Sequence, residues 1–159
     1  MDDFPTCFHA MQRHFTIADH LTFVTYPLVK DVKLLLQIID SLHKSILALV
    51  DAVLAYERSY KRIGPYSDNI DHKLYIFKTY CMPRYNLSND FLILYEQLGA
   101  LVDAHKQSPV EFKRDDQYII CSPTYQLRPI TLEQVKGYVI NAKPFILKVS
   151  NIVKKDVVR

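Results

Sequence analysis

The sequence predicts a mainly α-helical domain, an antiparallel bundle of four to five helices with a small β-hairpin inserted before the C-terminal helix. Three observations predict it. Only 3 glycines stand against 8 prolines in 159 residues, so the chain is built from long elements with few tight turns. One apolar seam, Leu35, Ile39, Leu42, Ile46, Leu49, Val53, Tyr56 and Tyr60, alternates steps of four and three, the spacing of one helix face. Between about residues 109 and 130 that periodicity gives way to short β-prone runs. At this length a single domain spanning 1–159 buries a core without disulfides or metals.

The first helix is expected over about residues 6 to 25, from the stripe Phe8, Met11, Phe15 and Ala18, with Thr6 as its cap and Pro27 as its stop. Asp31 is placed to cap the second. The long seam, widened by Leu36, Leu47, Val50 and Leu54, makes this helix the central post, about 30 residues long, stopped by Gly64 and Pro65. Asp68 or Asn69 caps a third helix, with Ile70, Leu74, Phe77 and Cys81 inward and its end near Pro83. Ser88 caps a fourth, with Phe91, Leu94, Leu98 and Leu101 or Val102 inward, closed by Ser108 and Pro109. Pro83 leaves open whether the third and fourth are one kinked rod.

Val110 to Phe112 and Tyr118 to Ile120 flank Asp115 and Asp116 as two strands about an acidic turn, and Gln126 to Arg128 is a third, edge piece. Thr131 and Gln134 have the spacing of a capping box. They open a last helix with Leu132, Val135, Val139, Ala142, Ile146, Val149 and Val153 inward and Pro144 as a kink point.

The formal charge of +3 is too small to point to nucleic acid by itself. Residues 57–84 carry six Lys/Arg against three acids, and residues 143–159 five against one, a polarity that solvated helix faces also produce. Three cysteines, Cys7, Cys81 and Cys121, form neither a paired framework nor a metal knuckle, which fits a reducing, cytoplasmic setting. The stretch Ile46 to Ala55 is too short and too polar to span a bilayer, so no membrane partner is expected. The histidines show no zinc spacing, and Gly64, Gly99 and Gly137 form no phosphate loop, so neither a metal nor a cofactor is expected.

Two constellations carry chemistry. Asp51 sits among Ala48, Ala52 and Ala55, small enough for another helix to approach and pair that carboxylate with an arginine or a tyrosine hydroxyl. Tyr56, Arg58, Tyr60, Lys61, Arg62 and Tyr66 interleave aromatic and basic side chains where the central helix ends, and Lys73, Lys78, Arg84 and Tyr85 are placed to come near from the third helix. Stacking on tyrosine with arginine on phosphate is how single-stranded nucleic acid is held without sequence preference.

Arg13 and His20 enclose six residues on the first helix. That spacing resembles the arginine–histidine motif of the HEPN superfamily of helical ribonucleases, although there the motif lies on a late helix. The resemblance implies an imidazole and a guanidinium acting on the 2′-hydroxyl and phosphate of RNA, with Arg13 and His20 as the catalytic pair. Three longer phrases, ADHLTFVTYPLVKD, YERSYKRI and HKQSPVEFKRDDQYIICS, resemble those of a family of small uncharacterised archaeal helical proteins. That resemblance implies a cytoplasmic setting and marks Tyr26, Lys30, Asp31, Arg62 and Glu111 for testing without assigning roles. The expectation from the residues is a non-enzymatic protein-interaction module, self-associating or binding another protein by its helical faces or hairpin edge. The alternative is an RNA-binding protein or a HEPN-like ribonuclease.

Overall fold

A computed structural model of the chain describes residues 3–157, with side chains through Lys154. It is mainly α-helical, with a three-stranded antiparallel sheet before the last helix. Among the described residues the helices form five rods. The first is α1 (Phe4–His20), continued through a π-helical turn (Leu21–Thr25) into α2 (Tyr26–Val29). The second is α3 (Leu34–Ser59). The third is α4 (Ile70–Ile76), continued through a second π-helical turn (Phe77–Cys81) into α5 (Met82–Tyr85), and the last two are α6 (Asp90–Gln107) and α7 (Leu132–Val157).

The central-post expectation holds in its packing. Leu35, Leu42, Ile46, Leu49 and Val53 of α3 are fully enclosed, and α1, α6 and α7 all pack on that helix. Phe77, Phe91 and Phe145 fill the far side of the core as a chain of rings, 5.2 and 5.4 Å between successive centroids. In α7 the stripe Val135, Val139, Ala142, Ile146, Val149 and Val153 is buried, and the helix continues across Pro144, whose side is exposed.

Several boundaries differ from expectation, each for a local reason. Asp3, not Thr6, caps α1, its Oδ1 accepting the Thr6 N–H at 3.0 Å. Pro27 and Pro83 do not stop their helices. Each follows a five-residue π-turn, in which the N–H of the residue before the proline reaches five back, Tyr26 to Leu21 and Met82 to Phe77. The wider turn lets the chain carry a residue without an N–H and stay helical to Val29 and Tyr85. The third and fourth rods are therefore separate, and the break lies at Asn86 to Asn89. Asn86 takes the left-handed conformation there (φ 53°), and α6 starts with Asn89 rather than Ser88 at its cap position. Ile70 faces outward rather than into the core, at 39% exposure.

The central helix ends at Ser59, before Gly64. Lys61 is left-handed (φ 59°), its N–H bonds the Arg58 carbonyl at 2.9 Å, and the Arg62 N–H bonds the Glu57 carbonyl at 3.0 Å. Those two bonds are a Schellman motif built on lysine instead of glycine. Asn86 makes the same motif at the end of α5, with Leu87 N–H on the Met82 carbonyl at 2.9 Å. Tyr60, the last step of the sequence seam, falls beyond the helix and is 49% exposed.

The sheet holds β1 (Val110–Arg114), β2 (Gln117–Cys121) and β3 (Leu127–Ile130) in that order, and Pro129 lies on the β3 edge. The register pairs Arg114 with Gln117 about the two-residue turn Asp115–Asp116. Opposed residues share a face, so Glu111, Lys113, Tyr118, Ile120 and Ile130 lie together, and the last three join the helical core. Thr131 Oγ1 accepts the Gln134 N–H at 3.2 Å and caps α7. Gln134 turns its amide to the Tyr138 hydroxyl at 2.8 Å, so only the threonine half of the capping box is made.

Candidate functional site

The two Schellman ends converge on one buried carboxylate. The Lys61 turn folds Arg62 back over the last turn of α3, and the Asn86 turn holds the end of α5 beside it. Glu57 Oε1 accepts from Arg62 Nη1 at 3.2 Å and from the Tyr85 hydroxyl at 2.8 Å, and Oε2 accepts from Arg84 Nη1 at 2.8 Å. The Glu57 side chain is 2% exposed, while those of Arg62 and Arg84 are 40% and 47% exposed. One enclosed anion thus fixes two half-open guanidiniums. Burial, then the Glu57 carboxylate, hold the Tyr85 phenol well above its ordinary range. The same two causes push the neighbouring Cys81 thiol up to about 12, Arg84 opposing them.

The predicted aromatic–basic residues surround this cluster but divide in role. Tyr56 is buried, packed on Phe4 at 5.1 Å and edge-on to Tyr60 at 5.1 Å. Tyr60 is half-exposed and lies under the Arg62 guanidinium, 4.7 Å from ring centre to carbon. Arg58 points away, over the Tyr66 ring at 5.7 Å. The open platform therefore consists of Tyr60, Arg62 and Arg84, with Tyr56 as its floor. Arg84 and Tyr85 of the third rod do come to this end as expected, whereas Glu57, the residue that joins them, was not singled out in the sequence. The available signal was Glu57 lying on the buried side of α3, one residue after Tyr56 of the seam.

Asp51 is paired, but by a lysine. Lys73 Nζ of α4 bonds Asp51 Oδ1 at 2.9 Å and Asp68 Oδ1 at 2.8 Å, and Lys73 is buried. Burial acts to lower this ammonium, yet the two carboxylates outweigh it and hold it above its ordinary value.

Arg13 and His20 both lie exposed on α1, and His20 Nδ1 is 3.3 Å from the Thr25 hydroxyl of the π-turn. Neither meets the Glu57 cluster in the contacts described.

A second locus lies where the end of α2 meets the hairpin and the start of α7. Tyr26 and Lys30, at the end of α2, line a cleft with Asp116 and Gln117 of the hairpin and with Glu133 and Lys136 of α7. Asp31 Oδ1 accepts from Lys113 Nζ of β1 at 3.1 Å, and Glu111 Oε1 lies 2.6 Å from His105 Nδ1. Around this cleft apolar side chains face outward, Leu28 at 82% and Val29 at 59% exposure. Burial and then the Glu111 carboxylate push the Tyr118 phenol up to about 12.

Among the described residues no group of three or more metal-ligating side chains occurs, and no helix is long and apolar enough to cross a membrane. Comparison of the chain with family models, curated proteins and solved structures finds no match.

Proposed function

We propose that the chain is a non-enzymatic interaction module that binds a polypeptide along the outer edge of β1, beside the apolar end of α2. The observation that carries this reading is the open edge. Among the described residues β1 pairs with β2 alone, and Leu28 and Val29 stand outward on the chain that leads into the Asp31–Lys113 bridge. An open strand edge offers a row of backbone donors and acceptors, and exposed apolar side chains mark interaction surfaces. Cys7, Cys81 and Cys121 are all buried, in keeping with a reducing, cytoplasmic setting.

The test is an affinity capture from native cytoplasm with and without nuclease, using the tagged wild-type chain and Lys113→Pro. Proline removes one N–H from β1, and natural edge strands use it to repel added strands. Protein captured by the wild type, insensitive to nuclease and lost with Lys113→Pro, supports the reading. Capture that Lys113→Pro leaves intact defeats it.

A second reading rests on a separate observation, the Arg62 guanidinium stacked on a half-exposed Tyr60 beside Arg84. Here a base of single-stranded RNA stacks on the platform and the guanidiniums meet phosphate. Salt-dependent retention of RNA that falls in Tyr60→Ala and Arg62→Ala supports it, and no retention at low salt removes it.

A further inference from the structure

From the strand register we infer that the partner on the β1 edge is a second copy of this chain, paired antiparallel with itself about Phe112. The inference rests on the edge-binding reading above and adds to it the identity of the partner and the register.

A two-residue hairpin turn closes on a hydrogen-bonded pair, here Arg114 with Gln117. Counting back, Val110, Phe112 and Arg114 turn their backbone groups toward β2. Glu111 and Lys113 then turn theirs to the outer edge. A two-fold axis beside Phe112 sets Glu111 opposite the partner subunit's Lys113 and Lys113 opposite the partner subunit's Glu111. Each of these two pairs exchanges both of its backbone hydrogen bonds, so all four outward groups are satisfied. Each pair also joins opposite charges across the strands, and the result is a closed, isologous contact within a six-stranded sheet.

The side chains of this edge point the same way. Glu111 has one oxygen, Oε1, 2.6 Å from His105 Nδ1. Its other oxygen, Oε2, is buried and makes no well-formed hydrogen bond among the described residues, and the Tyr118 hydroxyl is the donor beside this carboxylate. A carboxylate oxygen without a well-formed hydrogen bond is costly, and once the Glu111 side chain turns toward the edge a lysine brought opposite on the neighbouring strand supplies one. Lys113 lies on the same face as Glu111 and is 49% exposed, and its ammonium, which gives one N–H to Asp31, keeps two more donors for a partner. Val110, 54% exposed, comes to lie against the stem of the partner subunit's Arg114 on the other face. A different polypeptide could fill the backbone groups, but the alternation Glu111, Phe112, Lys113 is complementary to its own reverse.

The test measures association of the full chain by sedimentation velocity from low to high micromolar concentration. The wild type is expected to dimerise. Glu111→Lys and Lys113→Glu each set like charges opposite one another at both pairs, and each alone is expected to raise the dissociation constant at least about tenfold. Mixed one to one, the two variants regain opposite charges at both pairs and associate within about threefold of the wild type. That complementation also shows that both variants are folded. Phe112→Cys stands against itself across the axis and is expected to form an intermolecular disulfide on mild oxidation, whereas Arg114→Cys alone does not. A wild type that stays monomeric, or a mixture no tighter than its components, overturns self-pairing. If capture sensitive to Lys113→Pro persists in that case, edge binding stands with another partner. If capture is lost as well, both readings fall.

Discussion

The Tyr85 hydroxyl donates to Glu57 Oε1 at 2.8 Å inside the molecule and joins the end of α5 to the last turn of α3. Removing members of this cluster should cost stability in the order of their burial. Glu57→Ala leaves the enclosed Tyr85 hydroxyl and two guanidiniums without their acceptor, and should lower unfolding stability by about 3 kcal/mol. Tyr85→Phe removes one hydrogen bond to a charged group and should cost about 2 kcal/mol. Arg62→Ala should cost about 1 kcal/mol or less, because its half-exposed head is close to a surface partner in strength. Urea unfolding of the three variants checks the order. An Arg62→Ala loss as large as that of Glu57→Ala would show that the arginine, not the carboxylate, is the anchor.

The same cluster sets an alkaline limit. In the unfolded chain Cys81 ionises at its ordinary value of 9.0, whereas in the fold it is pushed up to about 12, and Tyr85 is held above its ordinary value of 10.0. Above pH 9 the unfolded chain therefore holds fewer protons than the folded one, and stability falls with rising pH. The contribution is fully present below pH 9 and lost as pH rises through 12. Denaturant midpoints should be flat from pH 7 to 8.5 and fall above that, with a shallower fall in Cys81→Ala. Because Cys7, Cys81 and Cys121 are buried, a thiol reagent at pH 8 should label the folded chain far more slowly than the urea-unfolded one.

How much of this was legible in the sequence depends on the range of the signal. The α3 seam, the α7 stripe and the hairpin are written in local periodicity, and they stand where the residues put them. Helix ends were misplaced where a lysine did a glycine's work at Lys61, and where a π-turn carried the helix past Pro27 and Pro83. In both cases tertiary packing overrides an intrinsic preference. The Glu57 site was half visible. Its arginine and tyrosines formed a local cluster, but Arg84 and Tyr85 come from 27 and 28 residues away, and nothing in spacing joins them to Glu57. Asp51 could be read as a carboxylate awaiting a neighbour, yet the choice of Lys73 required knowing which helix lay against α3.

An acid limit comes from a different place. His43 of α3 faces α6, its ring 6.3 Å from Tyr95 and its Nε2 3.8 Å from where a side chain on Gly99 would start. Burial holds its imidazole below the ordinary value of 6.5, with Lys106 adding to the effect and Asp40 and Asp103 opposing it. Below pH 6.5 the unfolded chain takes up more protons at this position than the folded one. Its stabilising effect is therefore present above 6.5 and lost as pH falls below it. His43→Gln should flatten the stability profile between pH 6.5 and 5 relative to wild type, measured by thermal melts across that range. A slope unchanged by the substitution would assign the acid sensitivity elsewhere. Gly99→Ala should be tolerated, because a methyl group there meets the ring at ordinary contact distance.

The left-handed turn at Lys61 offers the sharpest separation of backbone from side-chain effects. A residue with a Cβ in that conformation carries about 1 kcal/mol of strain that glycine lacks, and asparagine tolerates it better than lysine does. Lys61→Gly should therefore stabilise the chain by about 0.5 kcal/mol after the added freedom of the unfolded state is counted, whereas Asn86→Gly in the matching turn of α5 should change little. Lys61→Val should destabilise by more than 1 kcal/mol, about the cost of a branched side chain forced to positive φ. The Schellman bond from the Arg62 N–H to the Glu57 carbonyl holds Arg62 on the buried carboxylate, so the loss should extend to the site. Tyr60 loses its stacked guanidinium when Arg62 swings out, and its emission should change in Lys61→Val but not in Lys61→Gly, read against Tyr60→Phe. If Lys61→Gly weakens the fold, the lysine side chain holds the turn by a contact of its own, and the backbone account of this helix end is wrong.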